Sequence, residues 1–478
     1  MYRRALIVLS ALLFHIGPAA GGGNGDDLPD LGDVSASPYS MQQEHELGRA
    51  WLMMFRAQAD TLPDPLLQDY TENLLYQLAA NSELKDRRLE TVLVDNSTIN
   101  AFAVPGGVIG IHTGLFLNAD NESQFAGVLA HELAHLSQRH FTRSLDKARE
   151  ATLPTLAGLL AGVILAATTH SDAGIAAITA SQAAALENRL RFSRQHEQEA
   201  DRLGMDTLAK SDMDPNGIPS MFENMNERVR YARAKPPEFL LTHPLTDSRI
   251  SDSKNRARQY PRQVYTDNLN FQLMRARAVV HHSNKPEDLL SRWEDTQGPN
   301  GEAHRYGRTL ALLKLERWDD ARRSLEVLLN KDPGRIAYQC AQGSLLIGEK
   351  RYQEAISFLR SRLALSPDNY PLTMLLADAL QQDGQVGAAD KLLTDFSEVR
   401  PNDPALWYQL AEVRGLARNI LGVHRARAEY FILVGQFERA SAQLRYAYRL
   451  AGDNSVLEGR IRQRLRDIDE LKKRIEEL

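Results

Sequence analysis

Residues 121–140 read NESQFAGVLAHELAHLSQRH. Asn121 is a favourable N-cap, Gln124 stands at the capping-box position, and Glu122 places negative charge in the first turn, so a helix begins here. Phe125, Leu129, Leu133 and Leu136 then recur at helical spacing along one apolar stripe. Residues four apart differ by about 40° around a helix axis, so His131 and His135 share a face. That face also carries Val128 and lies roughly opposite the leucines. With both sides loaded, the helix is expected to be buried.

Within it, His131-Glu132-Leu133-Ala134-His135 fits HExxH. Two imidazoles one turn apart can each give a nitrogen to a tetrahedral zinc ion, and a third protein ligand leaves one position for water. Glu132 projects about 100° from His131, beside the ligands, where it can act as general base toward that water. HExxH arises by chance in roughly one chain in a hundred of this length, so a third ligand is required.

Residues 181–210 carry a second helical pattern, with Leu186, Leu190, Ser193, Glu197, Ala200, Asp201 and Gly204 on one face. An acid there is costly to bury unless it meets a metal or an ion partner. Glu197 is therefore the candidate third ligand. Asp201, one turn on, can accept the free N–H of a liganding histidine and fix its tautomer. Glu199 points elsewhere and is assigned to solvent. His140, nine residues after His131, falls half a turn out of phase on a continuing helix, and the Gly of HExxHxxGxxH is absent, which disfavours a three-histidine metzincin. His112, His170 and His196 read as surface or satisfied histidines. His243, in Thr242-His243-Pro244, is either a structural loop histidine or a ring able to reach the open metal position.

Around this centre the chain is legible in pieces. Helical spacing over 41–58 and 66–80 is interrupted by Leu62-Pro63-Asp64-Pro65, and residues 89–94 and 108–113 read as strands joined through 100–107. A small sheet beside a buried HExxH helix can hold substrate as an added strand. The 478 residues suggest two or three domains. A net charge of −5 carries no polybasic signature, so nucleic acid is not an expected partner. Arg3, Arg4 and the short apolar run over 5–16 read as a secretory signal peptide, cleaved near 19–22, followed by a flexible leader over 23–40. The single cysteine, Cys340, excludes an internal disulfide. Residues 151–169 are uncharged and nearly long enough to span a bilayer, but Pro154, Gly158 and Gly162 favour a buried or interface-packed hairpin; contact with a membrane surface stays open.

The C-terminal half repeats. Pro299, Pro333, Pro367 and Pro401 are 34 residues apart, as are Ala321, Ala355 and Ala389, and Trp318, Tyr352 and Val386. This is the tetratricopeptide period: a small residue lets paired helices approach and the proline ends the second helix. The first repeat is degenerate, with Glu287 at the small position. Phe437 and Ala440 mark a last repeat 51 residues after Ala389, which implies one extra helix before it. Residues 454–478 are expected to form a terminal helix that packs through Leu457, Ile461, Ile468, Leu471 and Ile475. Stacked helix pairs more often present a concave surface to a partner than serve as a passive scaffold.

Five motifs in order carry a resemblance: Asn100-Ala101-Phe102, Pro105-Gly106-Gly107, the HExxH residues, residues 193–201 (SRQHEQEAD), and Thr242-His243-Pro244 with Arg249-Ile250. The chain resembles the HtpX-like zinc metallopeptidases, a gluzincin family, and within it the members that carry tetratricopeptide repeats. The resemblance implies one Zn2+ on His131, His135 and Glu197, Glu132 as base, Asp201 behind the ligands, and His243 as a reversible fourth ligand. It implies a periplasmic endopeptidase with a chaperone-like role that acts on unfolded or stalled outer-membrane β-barrel proteins beside the β-barrel assembly machinery. The competing expectation is a non-proteolytic adaptor with a structural zinc site, for which the carboxylate of Glu132 has no use. Some family members carry a cysteine pair in the C-terminal half, which this chain lacks. The expected fold is mainly α: an α+β gluzincin domain over 41–260, then an α-helical repeat solenoid over 261–478.

Overall fold

A computed structural model describes residues 40–143, 194–231, 237–261, 263–298 and 300–476. The signal-peptide assignment (1–22), the leader up to residue 39, His170 and the apolar stretch 151–169 lie outside the described residues. No helix among the described residues is long and apolar enough to cross a membrane.

Two helices open the ordered chain. In α1 (Met41–Arg56), Ser40 and Gln43 form a reciprocal capping box. In α2 (Pro65–Ala80), Asp64 caps Leu66 and Leu67, and Pro65 takes the first helical position, where its missing N–H costs nothing. The sheet follows, with β1 (Glu90–Val94), β2 (Ala101–Val104) and β3 (Val108–His112) in the order β1-β3-β2. β1 runs parallel to β3 and β2 antiparallel to it. The segment expected to be a plain connection thus contains a third strand. The turn that returns it to β3 uses Gly106 (φ 84°) and Gly107 (φ 80°), a backbone that L side chains rarely adopt. A Cβ on Gly106 would also lie 2.1 Å from the Glu44 carbonyl oxygen.

A short α3 (Gly114–Asn118) leads into α4 (Glu122–Ser137). Asn121 Oδ1 accepts from the Gln124 N–H as expected, while the Gln124 side chain reaches the N–H of Asp120 rather than that of the cap. Every residue of α4 from Gln124 to His135 is buried. α5 (Arg194–Lys210) and α6 (Gly217–Tyr231) pack on it, followed by α7 (Glu238–Thr242) and α8 (Asp247–Ala257). Gly204 sets the closeness of α5 to α4: a Cβ there would lie 2.9 Å from Ile218 Cδ1 and 3.2 Å from the backbone nitrogen of His131.

The remainder is helical. α9 (Leu269–His282) and α10 (Pro286–Arg292) precede the pairs α11 (Gly301–Lys314) with α12 (Trp318–Lys331), α13 (Ile336–Gly348) with α14 (Tyr352–Leu363), and α15 (Tyr370–Gln382) with α16 (Val386–Val399). Ala321, Ala355 and Ala389 are fully buried, as close helix pairing requires. α17 (Pro404–Leu416) with α18 (Ile420–Leu433) continues the pairing and α19 (Phe437–Leu450) opens the next pair, so the extra helix expected before it is not found: Phe437 and Ala440 stand on the first helix of a pair rather than on the second. The terminal α20 (Ser455–Glu476) buries Ile461 and Ile468 and packs Leu457, Leu471 and Ile475 beside them.

The repeats do not hang free of the sheet and α4. Phe271 of α9 is fully buried against Phe116, Phe125 and Tyr70, with ring centroids 5.6–6.5 Å away. Arg277 pairs with Asp64 at 2.6 Å and Arg400 with Glu72 at 2.8 Å. This junction ties α2, α3 and the start of α4 to the solenoid.

Candidate metal centre

Three elements meet at one buried point. α4 supplies His131, Glu132 and His135, α5 supplies Glu197 and Asp201, and the residue that caps the C-terminus of α7 is His243. His131, His135, Glu197 and His243 form a cluster whose potential ligand atoms all lie within 4.8 Å of one another. The two α4 imidazoles face each other through Nε2 at 3.0 Å. His131 Nε2 lies 3.6 Å from Glu197 Oε2, and His135 Nε2 lies 3.6 Å from Glu197 Oε1. His243 Nδ1 lies 3.1 Å from Glu197 Oε1 and 3.5 Å from His131 Nε2. Bonds near 2.1 Å in a tetrahedron separate neighbouring ligand atoms by about 3.4 Å. The donor set therefore fits one small dication.

Glu132 lies beside this cluster. Its Oε1 is buried without a hydrogen-bond partner among the described residues and lies 3.4 Å from His243 Nε2. Burial pushes the carboxyl up to about 8, with His131 opposing the shift and Glu197 adding to it. A cation held by the neighbouring ligands would favour the ionised form instead. The Ala103 N–H donates to the same carboxylate, which brings β2 alongside the centre.

Behind the ligands, His131 Nδ1 lies 3.0 Å from Asp201 Oδ1. Arg249 donates to both Asp201 oxygens at 2.7 and 2.9 Å, lies 2.8 Å from Glu197 Oε2, and donates to the Pro244 carbonyl at 2.9 Å. Burial alone would raise both carboxyls. It is outweighed at Asp201 chiefly by Arg249, and at Glu197 by His243, Arg249 and His131, so both lie below the usual carboxylate range. Arg249 thus ties α8 to α5 and to the backbone that carries His243. His243 itself stacks on Phe239, centroids 4.6 Å apart.

His140 and Glu199 depart from expectation. α4 stops at Ser137, Arg139 takes φ 51°, and a new helical turn starts at His140 rather than α4 running on through it. His140 is consequently buried, with Nδ1 2.9 Å from His135 Nδ1 and Nε2 3.0 Å from Glu199 Oε2. Glu199, assigned from its helical phase to solvent, is a partner of that ring. His196 is buried and stacked on His140 at 4.3 Å, and His112 is buried beside Thr98 and Glu238. A motif search does not reveal the His140 contact, because it requires a single left-handed residue after the helix.

Other places among the described residues offer less. Asp95, His281 and His282 also cluster, but they are partly exposed, and His282 Nε2 meets the Thr113 hydroxyl at 2.7 Å. A cavity of about 630 Å³ lies between β1, α2 and residues 399–408, with no histidine in its lining. Cys340 is buried, and burial pushes its thiol up to about 12. That suits a small core residue rather than a reactive thiol.

Comparison with known proteins supplies the family. The model of Peptidase family M48 matches residues 65–257, and a tetratricopeptide repeat model matches 346–413. The β-barrel assembly-enhancing protease of Escherichia coli is 32% identical over 98% of this chain and 96% of its own length. The chain belongs to peptidase family M48. A putative β-barrel assembly-enhancing protease of Vibrio cholerae is 33% identical over 92% of this chain and 91% of its own. The mitochondrial metalloendopeptidase OMA1 of Schizosaccharomyces pombe is 29% identical over 38% of this chain and 50% of its own, so that likeness spans part of each protein. As an M48 peptidase carrying tetratricopeptide repeats, the protein is a metallopeptidase, and membership of the family implies a bound metal.

Proposed function

We propose that the chain is an exported, periplasmic zinc endopeptidase with a chaperone-like role in the quality control and assembly of outer-membrane β-barrel proteins. The observation that carries the catalytic part is the tetrahedral spacing of His131, His135, Glu197 and His243 beside the otherwise unpartnered carboxylate oxygen of Glu132. In this reading the first three hold zinc and Asp201 fixes the tautomer of His131. Zinc bound there would polarise the scissile carbonyl and acidify water.

The chain's own groups do the rest. Glu132 takes a proton from the attacking water and returns it to the leaving amine, a role worth about 10²–10⁴-fold in rate. β2 is an edge strand whose pairing with β3 turns Ala101 and Ala103 outward. An extended substrate added along it would run past Glu132. His243 occupies the corner that substrate and water need, and Arg249 braces its backbone, so the resting enzyme is restrained until α7 moves. The catalytic unit spans 41–260 and the recruiting unit 261–478. The substrate class and the assembly machinery as partner rest on the names of the Escherichia coli and Vibrio cholerae relatives, and export on the N-terminal leader.

The test is degradation of an unfolded outer-membrane protein by the purified full chain. Chelation is expected to abolish cleavage and added zinc to restore it. Cleavage that persists at verified zero metal content overturns the proposal, as does no cleavage at full zinc occupancy by both wild type and His243→Ala.

A further inference from the structure

His131 and His135 are supported differently. The free nitrogen of His131 meets the Asp201 carboxylate directly, at 3.0 Å. Nδ1 of His135 meets a second imidazole, and only beyond that a carboxylate. The geometry points to His140 and Glu199 as a positioning pair for His135, in which one ring passes a carboxylate's orienting effect to the ligand. The inference rests on the assignment of His135 as a ligand.

The chemistry leaves one arrangement of protons. For His135 Nε2 to bind a cation, that nitrogen must be bare, so the neutral ring carries its proton on Nδ1. Nδ1–H then donates across 2.9 Å to His140 Nδ1, which must be bare in turn. His140 therefore carries its proton on Nε2 and donates it across 3.0 Å to Glu199 Oε2. Both nitrogens of both rings are used, and each ring is held in one tautomer and one orientation. Asp201 does this for His131 in a single step.

The break at the end of α4 is what delivers His140. On a continued helix the residue would point away from the centre. Arg139 is held at positive φ, a backbone that residues other than glycine disfavour. It is kept there from α1: Glu44 accepts from Arg139 Nε and Nη2 at 3.1 and 2.6 Å and from the Thr142 hydroxyl at 2.7 Å. His196, one turn before Ala200 on α5, stacks flat on His140, with 11° between the ring planes. A histidine serving merely as core filler does not need two nitrogens placed in line.

Two substitutions separate positioning from packing. His140→Phe preserves the flat ring and its stack on His196 but removes the acceptor. His140→Asn shortens the ring but leaves an amide oxygen near the place of Nδ1. Zinc affinity of the full chain is measured by competition with a chelator, and folding is checked by the melting temperature of the metal-free protein. Loss of a partner of this kind weakens metal binding by about 10–100-fold. That loss is expected for His140→Phe, with most of the affinity kept in His140→Asn. Glu199→Ala, at a side chain 40% exposed, is expected to fold normally and to weaken zinc by a smaller factor. In 15N-labelled, zinc-loaded wild type, His140 is expected to be protonated on Nε2. His140→Phe binding zinc as tightly as wild type, His140→Asn binding as weakly as His140→Phe, Glu199→Ala at wild-type affinity, or His140 protonated on Nδ1 would each overturn the pair. His135→Ala is the control: if it leaves zinc binding unchanged, the ligand assignment fails and the pair with it, whereas wild-type affinity in His140→Phe alone removes only the pair.

Discussion

Around the metal centre a residue is held by one particular partner, whereas along the repeats it is held by its place in a period. Glu197 has His243, Arg249 and the α4 histidines; Asp201 has His131 and Arg249. Ala321, Ala355 and Ala389 have only the requirement to be small where two helices touch, and neighbouring repeats share the load. The 34-residue schedule even outlasts its signature. Ile420 starts α18 on time although Val423 stands where the alanine would be. Periodic packing therefore tolerates a lapse at one position, while a buried ion network loses its balance when one member goes.

Arg249→Met puts that contrast to its hardest test. It leaves two buried acids without their shared cation, and breaking such a network costs about 3–5 kcal/mol. Thermal or denaturant unfolding of the metal-free variant reads this directly, and a loss below about 1 kcal/mol would erase the distinction between the two regions.

The junction between the regions obeys neither rule. Phe271 lies ahead of the regular repeats, yet its ring is packed between α2, α3 and α4. Phe271→Ala is expected to cost about 3 kcal/mol through the cavity it leaves, and to lower the melting transition of the whole chain. A lowered transition in the repeats alone would mean that the catalytic half stands independently of them.

What could be read in advance follows the same contrast. HExxH and the shared face of Glu197 and Asp201 are local patterns, as is the spacing of the repeat alanines, and each is visible in a few turns of helix. β2 is four residues long, Ala101-Phe102-Ala103-Val104, and becomes a strand because β3 offers it an edge. His140 reaches His135 because α4 breaks at Arg139, and Arg139 is steadied by Glu44 from 95 residues away. Contacts between distant elements, such as Phe271 with Phe125, have no signature in either period.

His243→Ala tests the finest distinction, between a histidine that holds the centre together and one that restrains it. Basal cleavage of an unfolded substrate is expected to rise severalfold while zinc stays bound by the other three ligands. Unchanged or reduced turnover at equal zinc occupancy would make His243 a structural residue and leave the resting enzyme unrestrained.

The central claim, that Glu132 does the proton chemistry beside a metal held by its neighbours, is tested most directly by Glu132→Gln, with zinc content and turnover measured on one sample. The amide keeps the shape of the side chain but cannot accept the proton. One zinc per chain is expected to remain, with cleavage reduced by about 10²–10⁴-fold. Near-normal cleavage by the zinc-loaded variant would contradict the account.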